Sequence, residues 1–299
     1  MYALLAKSRK FNLPVDLQME LFDCLVVPIL TYGCEVWGFK YTNLIEKLHL
    51  KFMKFVLSVK SSTCNSMVYG ELGRFPLLVR VKKQIVAYWA KTLQGRDRKL
   101  SYKMLNHLSA LHSRQEFSSP WLMFVKSVLD QCGLSNVWTD PTAHSIEWIK
   151  LKLDRTLKDQ FLQEWRHDLN SKSSCDFYLN LKDNFELERY LKLSNQSYRK
   201  AICRLRTSNN RLPKVTGRYT NIPRAERFCH LCPGNNLGDE YHLIAECHND
   251  NLVKLRQEHV PLSVYRRPSV HKCLQWLRST NSRDVKALGR FLKEALQLY

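Results

Sequence analysis

Residues 229–247 read Cys229-His230-Leu231-Cys232-Pro233-Gly234-Asn235-Asn236-Leu237-Gly238-Asp239-Glu240-Tyr241-His242-Leu243-Ile244-Ala245-Glu246-Cys247. The spacing is Cys-x2-Cys-x9-His-x4-Cys. Zinc takes four thiolate or imidazole ligands at tetrahedral corners, and a Cys-x2-Cys turn delivers two of them from one tight loop. Pro233, Gly234, Asn235, Asn236 and Gly238 then reverse the chain. On an ideal helix His242 and Cys247 lie about 140° apart. One of them is therefore expected where a helix starts or ends. His230 and His248 are the competing nitrogen ligands. With Cys229, Cys232, His242 and Cys247 all supplied by protein, the expected ion is a structural Zn2+ in a closed shell, without an open position for chemistry.

Upstream of this quartet the chain is strongly basic. Nine Lys or Arg residues (199, 200, 204, 206, 211, 214, 218, 224 and 227) face a single acid, Glu226, between Arg199 and Arg227. Tyr198, Pro213, Tyr219, Pro223 and Phe228 interleave them, a pattern suited to a surface that tracks phosphates and stacks bases. Arg206, Arg211, Lys214 and Arg218 are the preferred phosphate contacts, with Arg224 and Arg227 beside them. Lys47, Lys51 and Lys54 form a weaker stripe on an earlier helix. An ordinary solvated face usually mixes both signs of charge, and the 199–227 segment barely does.

Helical periodicity dominates elsewhere. Asn12 and Pro14 are read as the cap and first turn of a helix with Leu17, Leu21, Cys24 and Leu25 inward, ending near Pro28 and Tyr32-Gly33. A second helix starts near Thr42 with Ile45, Leu48, Phe52, Phe55 and Val59. Pro76 opens a third, with Val81, Ile85, Trp89 and Leu93 inward. Further patterns lie around 100–112 and 120–132, stopping at Gly133. Asp140-Pro141 is read as the start of a long helix carrying Ile149, Leu153, Leu157, Phe161 and Trp165. A helix is expected through Phe185 to Leu193, and a last one after Asp284. The fold class is mainly α, divided at the charged break 94–99 and near Tyr198: residues 1–95, 96–197 and 198–299.

The 299 residues carry 47 Lys and Arg against 27 Asp and Glu, a formal charge of +20. Such a charge favours a polyanionic partner. The 44% apolar content excludes a disordered chain, and 10 Gly with 10 Pro argue against a turn-rich β-sandwich. Residues 1–10 lack the apolar run of a signal peptide, and no stretch reaches the roughly 20 residues of a membrane span. The ten cysteines are thus expected in a reducing interior, where clustering means metal. An intracellular, nuclear or nucleocytoplasmic location follows as an expectation. No adjacent aspartates, P-loop, His-Glu-x-x-His or Gly-x-Ser-x-Gly occurs, so the residues themselves point to no enzyme.

Two passages resemble the region downstream of the polymerase core in non-LTR (LINE-type) retrotransposon reverse transcriptases. The first is Leu13-Pro14 through Pro28-Ile29-Leu30-Thr31-Tyr32-Gly33-Cys34-Glu35-Val36-Trp37-Gly38, with Ile45-Glu46 and Tyr69-Gly70-Glu71-Leu72-Gly73-Arg74-Phe75-Pro76-Leu77. It looks like the thumb. The second holds Asn210-Arg211-Leu212-Pro213, Gly217-Arg218, Ile222-Pro223-Arg224, Glu226-Arg227 and the Cys-Cys-His-Cys quartet, and looks like the zinc-knuckle region. The resemblance implies a thumb-like helical bundle over 1–95, a helical connector over 96–197 and a zinc-stabilised module over 198–299. It also implies binding of RNA or DNA through the phosphate backbone, without a membrane partner, and a polymerase core as a further partner. The family's palm carboxylates have no counterpart here, so the chain itself is expected not to polymerise. The alternatives are a zinc-stabilised helical protein-interaction module and a non-functional remnant.

Overall fold

The computed structural model describes residues 6–7, 10–95 and 99–299. Residues 1–5 and 8–9, on which the expected absence of a leader partly rests, and 96–98 within the charged break fall outside the described set. The described chain is mainly helical. Its principal helices are α1 (Val15–Leu25), α2 (Cys34–Leu57), α3 (Asn65–Leu72), α4 (Leu77–Leu93), α5 (Leu100–Ser113), α6 (Pro120–Gln131), α7 (Ile146–Asn170), α8 (Gln196–Arg206), α9 (Asp250–His259), α10 (Val270–Leu277) and α11 (Ser282–Ala295). Turns join most of them, and two longer connections, 171–195 and 207–249, carry short helical turns of their own. β pairing among the described residues is confined to isolated bridges, Leu72 with Leu187 and Phe228 with Leu237. No single described helix is long and apolar enough to cross a membrane.

The helices form two compact units, neither contiguous in sequence: Met1–Leu21, Leu50–Arg74 and His167–Tyr299 make one, Phe22–His49 and Phe75–Arg166 the other. In the second unit α4 is the spine. Its Val81, Ile85, Val86 and Trp89 are buried, and Trp89 stacks on Trp138 at 5.2 Å. A long apolar stripe at helical spacing must be covered, because each such side chain contributes about 1.5–3 kcal/mol when buried. Ile149, Leu153 and Leu157 of α7 are buried in the same unit. The Trp121 indole N–H of α6 donates to the Glu35 carbonyl at 2.7 Å, giving a part-buried polar group its partner.

The first unit is built on α8 and α11. Asn195 and Asn281 cap them, each accepting backbone N–H groups through its side-chain oxygen. Val285, Leu288, Phe291 and Leu292 of α11 are buried. Gly289 permits the close crossing: a Cβ there would stand 2.5 Å from Cβ of Tyr198 on α8. α3 lies almost wholly inside. It ends at Gly73, whose φ of +58° is the left-handed stop that glycine adopts without strain.

Several local expectations are corrected. Asn12 does not cap α1; its φ is +44°, and α1 begins at Val15. The buried face of α1 runs through Val15, Met19 and Phe22, while Leu17, Cys24 and Leu25 are exposed. α2 starts at Cys34 rather than near Thr42 and kinks at Tyr41. Leu48 on it is exposed. Asp140 closes a local turn, accepting from Thr142 N and Oγ1 at 2.9 and 2.7 Å. The Ser145 hydroxyl instead accepts from Trp148 N at the start of α7. The expected helix over 185–193 is a short 3-10 turn, Arg189–Lys192. Its upstream backbone is committed to α3 instead, with Glu188 N donating to Glu71 O at 3.0 Å. A backbone group satisfied by a neighbouring segment cannot also close a helical turn.

Candidate metal centre and the adjacent basic segment

The Cys-x2-Cys turn sits at the tip of a small hairpin. Cys229 N donates to Asn236 O and Gly238 N to Arg227 O, both at 2.9 Å, so the Gly/Asn loop folds back as its composition requires. Leu231 N points at Cys229 Sγ from 3.4 Å, as a turn that cradles a thiolate does. The returning strand enters a π-helical turn, His242–Glu246. The Asp239 carboxylate accepts His242 N at 2.9 Å and secures its start. Cys247 N closes the turn on His242 O at 2.9 Å, an i to i+5 bond. Cys247 itself has left the helix, with φ −56° and ψ 128°. His242 thus opens the turn and Cys247 follows its end, which resolves the angular conflict expected for an ideal helix.

The four ligand atoms all lie within 4.8 Å of one another. Cys229 Sγ and Cys247 Sγ are 3.9 Å apart. Cys232 Sγ and His242 Nε2 are 3.4 Å apart. Tetrahedral zinc with Zn–S about 2.3 Å and Zn–N about 2.0–2.1 Å requires S···S near roughly 3.8 Å and S···N near roughly 3.5 Å. The residues fit the ion. His230 and His248 are both exposed and stand outside the cluster.

The electrostatics agree. Burial lowers the His242 pKa, so its imidazole is neutral and ready to donate a lone pair. Burial raises the Cys229 thiol, yet hydrogen bonds from the Tyr299 hydroxyl, Leu231 N and neighbouring thiols bring it below its ordinary value. Cys247 is pushed up to about 12, first by burial and then by the Cys229 thiol despite a bond from Asn249 N. Three crowded thiols ionise together only when a cation joins them. Three thiolates, one imidazole and a divalent ion would carry a charge of about −1. The buried Arg256 stands beside them, its guanidinium donating to Cys247 O. Tyr299 OH lies 3.1 Å from Cys229 Sγ. Sequence reasoning missed both residues; Tyr299 is 52 positions beyond the last ligand, 299 − 247, and carries no spacing signal.

The basic segment divides into inner and outer residues. Two of the preferred phosphate contacts are corrected. Arg206 is buried, with Nη2 3.1 Å from both Glu71 Oε1 and Glu188 Oε1. Its Nε is 3.1 Å from Glu71 Oε1, and Tyr190 OH donates to the same carboxylate. Lys214 is buried too, its Nζ 2.7 Å from Glu240 Oε2. Both cations are held by their counter-ions, because a buried charge must keep one. Arg227 is half-buried and donates to Ile222 O and Lys214 O, both at 2.9 Å, holding its loop. Lys54 is likewise occupied, 2.6 Å from Ser61 O.

Arg211 is exposed, as are Lys47 and Lys51. Arg224 is exposed and pairs with Asp176 at 3.1 Å. Arg218 is half-exposed, its guanidinium 3.4 Å from Ser173 O. Together with Lys60, Ser62, Asn209 and the exposed Tyr219, Arg218 lines a polar cleft of about 110 Å³. No protein-family model, curated protein or solved structure matches the chain.

Proposed function

We propose that the chain binds single-stranded RNA or DNA through its phosphate backbone, on the surface around Lys60, Arg211, Arg218 and Tyr219, as the portion of a non-LTR-type reverse transcriptase that follows the polymerase core. The observation that carries this reading is the polar cleft with a lysine, an arginine and an exposed tyrosine on its rim. Phosphates need cationic and N–H donors, and an exposed ring gives a base a stacking face. The Cys/His cluster serves this surface by fixing its loop. Lys214 N donates to Gly238 O at 3.0 Å, and Lys214 bonds Glu240, so the hairpin and the basic loop share one frame. In this role the chain holds a polyanion and carries no polymerisation chemistry of its own.

The test is RNA binding by the zinc-loaded chain across a salt series, beside a Lys60→Gln, Arg211→Gln, Arg218→Gln variant. Each single-strand phosphate contact contributes about −0.7 to the log–log slope. The triple variant should flatten that slope by about 2. An unchanged slope overturns the assignment of this surface.

A protein-interaction module is the second reading, and one observation favours it. Leu25, Ile29, Tyr32 and Val36 are exposed within a single stretch of the second unit. Apolar side chains clustered on a surface mark a protein contact or a liability to aggregate. Binding that survives an excess of polyanion competitor would support this reading over the first.

A further inference from the structure

Cys64 and Cys175 lie in the first unit with their sulfurs 3.9 Å apart, and neither belongs to the Cys/His cluster. Cys64 occupies the N-cap position of α3, with φ −54° and ψ 128°. At that position its sulfur makes no capping hydrogen bond, but the nearby first-turn N–H groups of Ser66 and Met67 favour its thiolate. Cys64 is half-buried and lines the polar cleft, whereas Cys175 is fully buried behind it. One sulfur is therefore accessible to a small polar reagent, and the other is accessible only to the first. An S–S bond of about 2.05 Å requires the two sulfurs to close by ~1.9 Å from their present 3.9 Å.

We propose that this pair is a peroxide-reactive dithiol, in which Cys64 is the attacking sulfur and Cys175 the resolving one. The Cys64 thiolate attacks one oxygen of hydrogen peroxide; the O–O bond breaks, giving Cys64 sulfenic acid and hydroxide, which takes a proton to become water. The Cys175 sulfur then attacks the Cys64 sulfur. The S–O bond breaks, the Cys175 proton leaves with the hydroxyl as a second water, and a disulfide remains. Two thiols lose two electrons and one peroxide gains them. The electrostatics fit these roles. The Cys175 hydrogen bond, with the Ser66 and Met67 N–H groups and Lys172, outweighs burial and brings Cys64 down to about 5. Cys175 is pushed up by the same bond and by burial, so it stays protonated until it is needed. A low-pKa, accessible thiol beside a resolving thiol is the arrangement that makes oxidation selective.

The experiment treats the zinc-loaded full chain with one equivalent of hydrogen peroxide, alkylates the remaining thiols and maps peptides without reduction. A Cys64–Cys175 linked peptide, short by two hydrogens, is expected at least tenfold faster than modification of the exposed Cys24. In Cys175→Ser, Cys64 should accumulate as a sulfenic acid trapped by dimedone. In Cys64→Ser, neither the link nor a dimedone adduct at Cys175 should form. Because Cys64 is half-exposed, that second variant reports even if Cys175→Ser folds poorly. Cys64 remaining fully alkylatable would overturn the proposal. So would disulfides among Cys229, Cys232 and Cys247, with zinc release, preceding the Cys64–Cys175 link.

Discussion

At the residue scale, the buried group most exposed to mutation is Glu71. It faces Arg206, and Tyr190 donates to it, with all three side chains out of solvent. A buried pair adds little net stability when whole, but removing one partner strands the other charge. Glu71→Gln leaves Arg206 with Glu188 as its remaining counter-ion, and should lower unfolding free energy by up to about 3 kcal/mol. A Glu71→Leu, Arg206→Met double variant should recover more than half of that loss, because apolar replacements of similar volume remove the stranded charge as well. Denaturant titration of the three chains checks both values. Asp154 gives a pH-dependent counterpart. Burial alone would raise its pKa, but Lys158 at 2.6 Å and Lys83 at 2.5 Å bring it below the usual carboxylate value. Its folded value is thus the lower one. The contribution is present above the unfolded pKa near roughly 3.9 and lost as pH falls through the folded pKa. Asp154→Asn should be less stable than the parent at pH 7, and thermal melts of the two should converge as pH falls through the lowered folded pKa.

Among elements, the π turn at 242–246 sets the geometry of the Cys/His cluster. It inserts one extra residue per turn relative to an α-helix, and this widening carries Cys247 back to the face of His242. Deleting Ala245 should restore an i to i+4 turn and swing one ligand away. Bound zinc should fall from about one equivalent to well below half, measured by colorimetric release from the purified chain. The ligand set itself was legible in the sequence, because thiol spacing around a Gly/Asn loop encodes tetrahedral delivery. The turn's form was not, since Leu243, Ile244 and Ala245 give no local signal for a π over an α register. Helical patterns were legible for α4 and α11, whose apolar stripes are buried as spaced save for Leu93, which is only half-buried. They misled at α1, where Leu17 and Leu25 compete with Val15 and Phe22 and only tertiary burial decides. Arg206 and Lys214 were unreadable as structural cations, because their counter-ions Glu71 and Glu240 lie 135 and 26 residues away.

For the whole molecule, the metal is expected to stabilise one part rather than all of it. The cluster pins the 229–247 hairpin, while α4 and its neighbours form an apolar core of their own. Chelation should expose residues 229–247 to limited proteolysis within minutes and leave most helical circular dichroism intact. Loss of the entire helical signal on adding chelator would show that the ion holds the whole fold.

The interleaving of the units has a consequence in time. Glu71 is completed at the ribosome 135 residues before Arg206. At about 5–20 residues per second, that is roughly 7–27 s of synthesis. Throughout that interval α3, almost wholly interior in the finished protein, has no α8 to set Arg206 against Glu71. A nascent chain of this design waits on its own last third, and its yield in a cell should follow the supply of factors that shield unfinished chains.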